Sequence, residues 1–128
     1  MDNIDYKHTI LVIDDSTTNV LLLQAILHNK GYEIQTALSV REAYSIMQKK
    51  LPQLILLDLL MPRINGFEFL RELKNDELKK HIPVIVISAL TEIENIDKAI
   101  ELGAIEFIKK PVDIQKLVEI VSSILKHQ

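Results

Sequence analysis

Five polar residues in this 128-residue chain stand at or just past the ends of short apolar runs. Asp14 and Asp15 follow Thr9-Ile10-Leu11-Val12-Ile13, and Asp58 follows Leu54-Ile55-Leu56-Leu57. Ser88 follows Val84-Ile85-Val86-Ile87, and Lys110 comes shortly after a weaker run, Ile105 to Ile108. Three carboxylates brought together repel, and each disfavours ionisation of its neighbours. A hard divalent cation relieves that conflict. Mg²⁺ prefers oxygen ligands and usually keeps several waters, so one or two carboxylates and a backbone carbonyl would hold it, with Mn²⁺ as an admissible substitute. Lys110 adds a positive charge on the other side, and Ser88 adds a hydroxyl. A carboxylate so surrounded suits a dianionic group. Asp58 would be the nucleophile and would become an acyl phosphate, chemistry that rests on positioning and charge stabilisation.

The elements that must bring these residues together can be read from the pattern. The runs before Asp14, Asp58 and Ser88 are short, rich in branched residues and apolar on both faces, as in parallel strands covered by helices on both sides. Glu33 to Thr36 and Ile105 to Ile108 are weaker strands. Helices are expected over Thr17 to Asn29, from a Ser39 cap with Glu42 as its capping box, and over Phe67 to Leu73, Glu92 to Leu102 and Asp113 to Leu125. Every glycine and proline (Gly31, Pro52, Pro62, Gly66, Pro83, Gly103 and Pro111) falls at a proposed boundary, so the segmentation is self-consistent. The expected fold class is α/β: a strand–helix unit repeated five times, with the right-handed crossover rule giving a doubly wound parallel sheet. In such sheets the site lies beyond the carboxyl ends of the strands, near the switch in strand order. That rule is what places Asp14, Asp15, Asp58, Ser88 and Lys110 in one crevice.

Composition narrows the function classes. Apolar residues make up 48% and charged residues 26%, enough for one packed core. A net charge of −3 speaks against a broad nucleic-acid footprint. Without cysteine there is no disulfide framework or thiolate metal site. Met1 to His8 is polar and acidic, unlike a signal peptide, and no apolar stretch is long enough to span a bilayer. The expectation is a single cytoplasmic domain over residues 1–128, core about 8–126, with no membrane and no direct nucleic-acid contact.

The chain resembles the receiver domains of two-component response regulators from about His8 to Lys126. The resemblance is carried by Ile13-Asp14-Asp15-Ser16, by Asp58-Leu59-Leu60-Met61-Pro62-Arg63-Ile64-Asn65-Gly66, by Ile87-Ser88-Ala89 and by Phe107-Ile108-Lys109-Lys110-Pro111. It implies a flavodoxin-like sheet of strand order 2-1-3-4-5. It implies Asp58 as phosphoacceptor, Asp15 as direct metal ligand, Asp14 as holder of metal-bound water, and the Leu60 carbonyl as backbone ligand. Ser88 and Phe107 match the switch positions, and Lys110 the lysine that contacts the phosphoryl oxygen. Lys109 is the rival for that last role. Lys110 is preferred because the family lysine directly precedes the proline, and because strand alternation turns Lys109 the other way. Lys110-Pro111 is a candidate cis peptide on the same ground. The implied function is a phosphorylation-activated switch, not an enzyme acting on an external substrate. Its donor would be a histidine kinase or histidine phosphotransfer protein. Its output would be a changed face made by the fourth helix, fifth strand and fifth helix, through which the chain could also self-associate. Leu60 and Leu90 flank the site, and neither orients a water easily, so a long-lived phosphoryl group is expected.

Taken singly, these residues have plainer readings. Asp14 and Asp15 could cap a helix, Asp58 and Ser88 could be turn or cap residues, Lys110 could be a solvated lysine and Phe107 could be core. His8, His28, His81 and His127 show no metal spacing. Residues 75–80 read as a solvated loop, and Asn65-Gly66 as a turn leading into the third helix. A haloacid-dehalogenase-type phosphatase would carry a second aspartate two residues past the first, where this chain has Leu60. A nucleotide or flavin binder would need a glycine-rich phosphate cradle, which is absent. A receiver used only for docking would not need the full acceptor set.

Overall fold

The computed structural model describes residues 8–61 and 64–126, so His127, Pro62, Arg63 and the first residues lie outside the described set. The sheet strands are β1 (Thr9–Ile13), β2 (Glu33–Ala37), β3 (Leu54–Leu57), β6 (Val84–Ser88) and β7 (Glu106–Lys109). All pair in parallel, in the order β2-β1-β3-β6-β7. The chain reverses direction across the sheet at β1, whose neighbours are β2 and β3. Two short strands, β4 (Leu60–Met61) and β5 (Ile64–Asn65), form a separate antiparallel pair. Counting only the sheet strands, the order is the expected 2-1-3-4-5.

Alternation along the buried strands makes two cores. Leu11, Ile13, Ile55, Leu57, Val84 and Val86 face one side, with α2 (Val40–Lys49), α3 (Gly66–Asn75) and α4 (Ile93–Glu101) supplying Met47, Phe69, Leu70, Leu73 and Ala99. Ile10, Val12, Leu54, Leu56, Ile85 and Ile87 face the other, against Val20, Leu23 and Leu27 of α1 (Thr17–His28) and Leu117, Val121 and Leu125 of α5 (Ile114–Leu125). Strands sealed on both faces cannot alternate apolar with polar, which is why they read as unbroken apolar runs.

Local chemistry starts the helices. Ser16, Ser39, Asn65 and Asp113 cap α1, α2, α3 and α5, each with a side-chain oxygen accepting a backbone N–H from the first turn. Glu42 reaches back to the Leu38 N–H at 2.8 Å, one residue earlier than in the usual capping box. The expected elements differ from the observed ones only at their ends. The third helix, α3, runs from Gly66 to Asn75 where Phe67 to Leu73 was expected, and its Asn65 cap accounts for the start at Gly66. The β4–β5 hairpin had no sequence expectation: two-residue strands carry no period to read. Among the described residues no helix is long and apolar enough to cross a membrane.

Candidate functional site at the carboxyl ends of the strands

The backbone sets the site before any side chain does. Asp14 and Asp58 each sit one residue past β1 and β3, and the Asp58 N–H donates to the Ile13 carbonyl at 3.0 Å, so the two adjacent strands deliver them side by side. Lys110 follows β7, and its N–H donates to the Ser88 carbonyl at 3.0 Å. The Lys110–Pro111 peptide is cis, as expected.

The side chains then converge. Asp14 and Asp58 are only 4% and 5% exposed, while Asp15 is exposed. A carboxylate oxygen from each of the three lies within 4.8 Å of the others. Lys110 Nζ stands 3.1 Å from Asp58 Oδ2 and 3.3 Å from Asp14 Oδ2. Lys110, not the exposed Lys109, reaches both carboxylates. Asp58 Oδ1 accepts the Leu60 N–H at 3.0 Å, which ties the carboxylate to the start of the β4–β5 hairpin.

Burial is the largest influence on Asp58 and raises its pKa; the Leu60 N–H and the Lys110 charge oppose that rise, and the Asp14 charge adds to it. For Lys110, burial alone would lower the pKa, but the Asp58 and Asp14 carboxylates outweigh it and hold the ammonium above its ordinary value. One lysine facing three carboxylates leaves negative charge in excess. Clustered carboxylate oxygens with such an excess are the donor set a hard divalent cation takes, so these residues fit one.

Ser88 is fully buried at the end of β6, and its Oγ accepts the Leu90 N–H at 3.1 Å. Phe107 pairs with Val86 across the β6–β7 register and packs against the α2–α3–α4 core. Ser88 lies two residues past Val86, so strand alternation places it on that same face. An open pocket of about 280 Å³ runs from Asp14 and Lys110 between α1 and the start of α5, lined by Asn19, Leu22, Leu23, Ile87, Val112 and Ile114 among others. Sequence reading did not find two contacts here: the Ser16 N–H on Asp14 Oδ1 at 2.9 Å and the Asn19 amide on Asp14 Oδ2 at 3.3 Å. The available signal was position, since Asn19 is the third residue of a helix that begins right after Asp14 and Asp15.

Residues 10–122 match the family model of the response regulator receiver domain. The chain belongs to that family. This receiver is 40% identical over 119 residues to the response regulator PleD of Caulobacter vibrioides, an alignment covering 93% of this chain and 26% of PleD. It is 35% identical to the phosphate regulon transcriptional regulatory protein PhoB of Pseudomonas aeruginosa, covering 93% of this chain and 52% of PhoB. The receiver thus spans about a quarter to a half of the curated relatives it matches. Among solved structures it is similar to a putative response regulator from Chloroflexus aurantiacus, with TM-score 0.86, 33% identity and coverage of 93% of this chain and 98% of that one. It is also similar to the receiver domain of a signal transduction histidine kinase from Syntrophus aciditrophicus, with TM-score 0.85, 32% identity and coverage of 94% and 91%. Receivers are the signalling switches of two-component systems, and phosphorylation-activated signalling is the function class to which this chain belongs.

Proposed function

We propose that Asp58 of this single receiver domain accepts a phosphoryl group from a phosphohistidine donor, with Mg²⁺ bound beside it. The observation that carries this reading is the buried Asp58 carboxylate, 3.1 Å from Lys110 Nζ and clustered with Asp14 and Asp15. Asp15, Asp58 and the Leu60 carbonyl would hold the cation directly, and Asp14 through water. When bound, the cation offsets the repulsion among the carboxylates and withdraws charge from the phosphoryl oxygens. An Asp58 oxygen attacks phosphorus, the P–N bond to the donor imidazole breaks, and its electron pair leaves with the imidazole nitrogen. Lys110, already charged, neutralises one phosphoryl oxygen without taking part in proton transfer.

Readout would pass through Ser88 and Phe107. The phosphoryl group, about −2 in charge, offers acceptors to the Ser88 hydroxyl. Turning toward it, Ser88 would release the Leu90 N–H and open room on the face that Phe107 shares. The face of α4, β7 and α5 then changes for a partner, which includes a second copy as one candidate. Leu60 and Leu90 bear no group that positions a water, which supports slow hydrolysis.

Labelling by phosphoramidate in Mg²⁺, read by intact-mass spectrometry, tests the assignment. The wild-type chain should gain one phosphoryl group and Asp58→Asn none. Full labelling of Asp58→Asn would overturn the acceptor assignment.

A further inference from the structure

The Asp14 carboxylate, 4% exposed, is held at both oxygens. Oδ1 accepts the Ser16 N–H at 2.9 Å, while Oδ2 accepts both Lys110 Nζ and Asn19 Nδ2 at 3.3 Å. A carboxylate can only accept, so the amide of Asn19 must present its nitrogen. Asn19 is itself anchored, because its backbone N–H donates to the Ser16 Oγ at 3.2 Å within the α1 cap. Asp14 Oδ2 is therefore an acceptor shared between the Lys110 ammonium and the Asn19 amide.

That sharing has a consequence once Asp58 is phosphorylated. The added negative charge draws Lys110 toward the phosphoryl oxygens. With Lys110 as the sole protein donor to Oδ2, its departure would leave that buried anionic oxygen without a donor from the chain, which costs part of that group's desolvation penalty. We infer that Asn19 is a positioning residue for phosphoryl transfer. Its amide keeps Asp14 Oδ2 hydrogen-bonded while Lys110 moves from Asp14 to the phosphoryl group. The inference rests on the phosphoacceptor reading of Asp58 and adds a residue to it.

The test is the rate of phosphoramidate labelling in Mg²⁺ for the wild-type chain, Asn19→Ala and Asn19→Asp, with donor and Mg²⁺ each titrated to saturation. Alanine favours the helix, and a thermal melt checks folding. Should Asn19→Ala melt below the assay temperature, the isosteric Asn19→Asp carries the comparison. The saturated rate of Asn19→Ala should fall about three- to tenfold, the size of one ordinary hydrogen bond, with half-saturating donor and Mg²⁺ concentrations within about twofold of wild type. Asn19→Asp, which turns an acceptor toward Asp14, should be slower still. An unchanged saturated rate, or a loss confined to the half-saturating concentrations, would overturn the inference while leaving the acceptor reading standing. A wild-type chain that takes no label overturns both.

Discussion

Asp58 carries opposing influences, and their balance has a measurable consequence. Burial, helped by the Asp14 charge, raises its pKa more than the Leu60 N–H and Lys110 lower it. In metal-free buffer the folded chain therefore holds the Asp58 proton to higher pH than the unfolded chain does. Below the ordinary carboxylate range both states are protonated and nothing is lost. As pH rises through the raised folded value, the ionised carboxylate destabilises the fold, and the cost stays constant above it. Asp58→Asn removes that charge while retaining an oxygen for the Leu60 N–H. Urea denaturation without Mg²⁺ should find Asp58→Asn more stable than wild type at neutral pH, with the gain shrinking to nothing on acidification. A variant less stable than wild type at neutral pH would mean that the Lys110 contact outweighs burial. The same residue shows how legible the site was. A carboxylate closing the run Leu54 to Leu57 stands out in one dimension, whereas the Asn19 amide on Asp14 does not, because only the turn into α1 brings it back.

The elements are held to different degrees. At the start of α3, a Cβ on Gly66 would stand 2.6 Å from the Leu59 Cα, so backbone would have to move. Gly66 thus serves close approach of α3 to the segment between Asp58 and Leu60, more than the turn that Asn65-Gly66 suggests by itself. Gly66→Ala should destabilise the chain by about 1–3 kcal/mol in urea denaturation, the cost of overpacking a tight contact. Unchanged stability would show that the Leu59 segment yields freely. By contrast, α4 buries only Ala99, its cap residue Glu92 makes no side-chain cap bond, and Ile93 and Ile100 are 72% and 46% exposed. Lys98 over the Phe67 ring, 4.5 Å from its centroid, adds one contact to α3.

Across the molecule, two cores flank one sheet, and their helices are anchored to different degrees. The α1–α5 side is anchored by Val20, Leu23, Leu27, Leu117, Val121 and Leu125. The other side ends in the thinly anchored α4, next to Ser88 and Phe107. Local openings draw on the least anchored segments, so phosphorylation at Asp58 should be felt most there. In ¹⁵N-edited NMR of the phosphorylated chain, amide shifts beyond the immediate site should concentrate in α4 and β7 and extend to α5. An α4 that does not respond, with shifts confined to residues around Asp58, would contradict the proposed output face.

The residues alone determined the layering. Strands covered on both faces must be apolar throughout, so β1, β3 and β6 announced themselves, and the polar residues closing them had to meet at one edge. The lysine-proline motif and strand alternation together carried the choice of Lys110 over Lys109. Three things waited for the tertiary structure. The β4–β5 hairpin is too short to have a period. Gly66 is needed because of Leu59, a neighbour across space. Asn19 joins the acidic cluster only because the first turn of α1 folds back over Asp14, a contact set by backbone geometry that residue type does not encode.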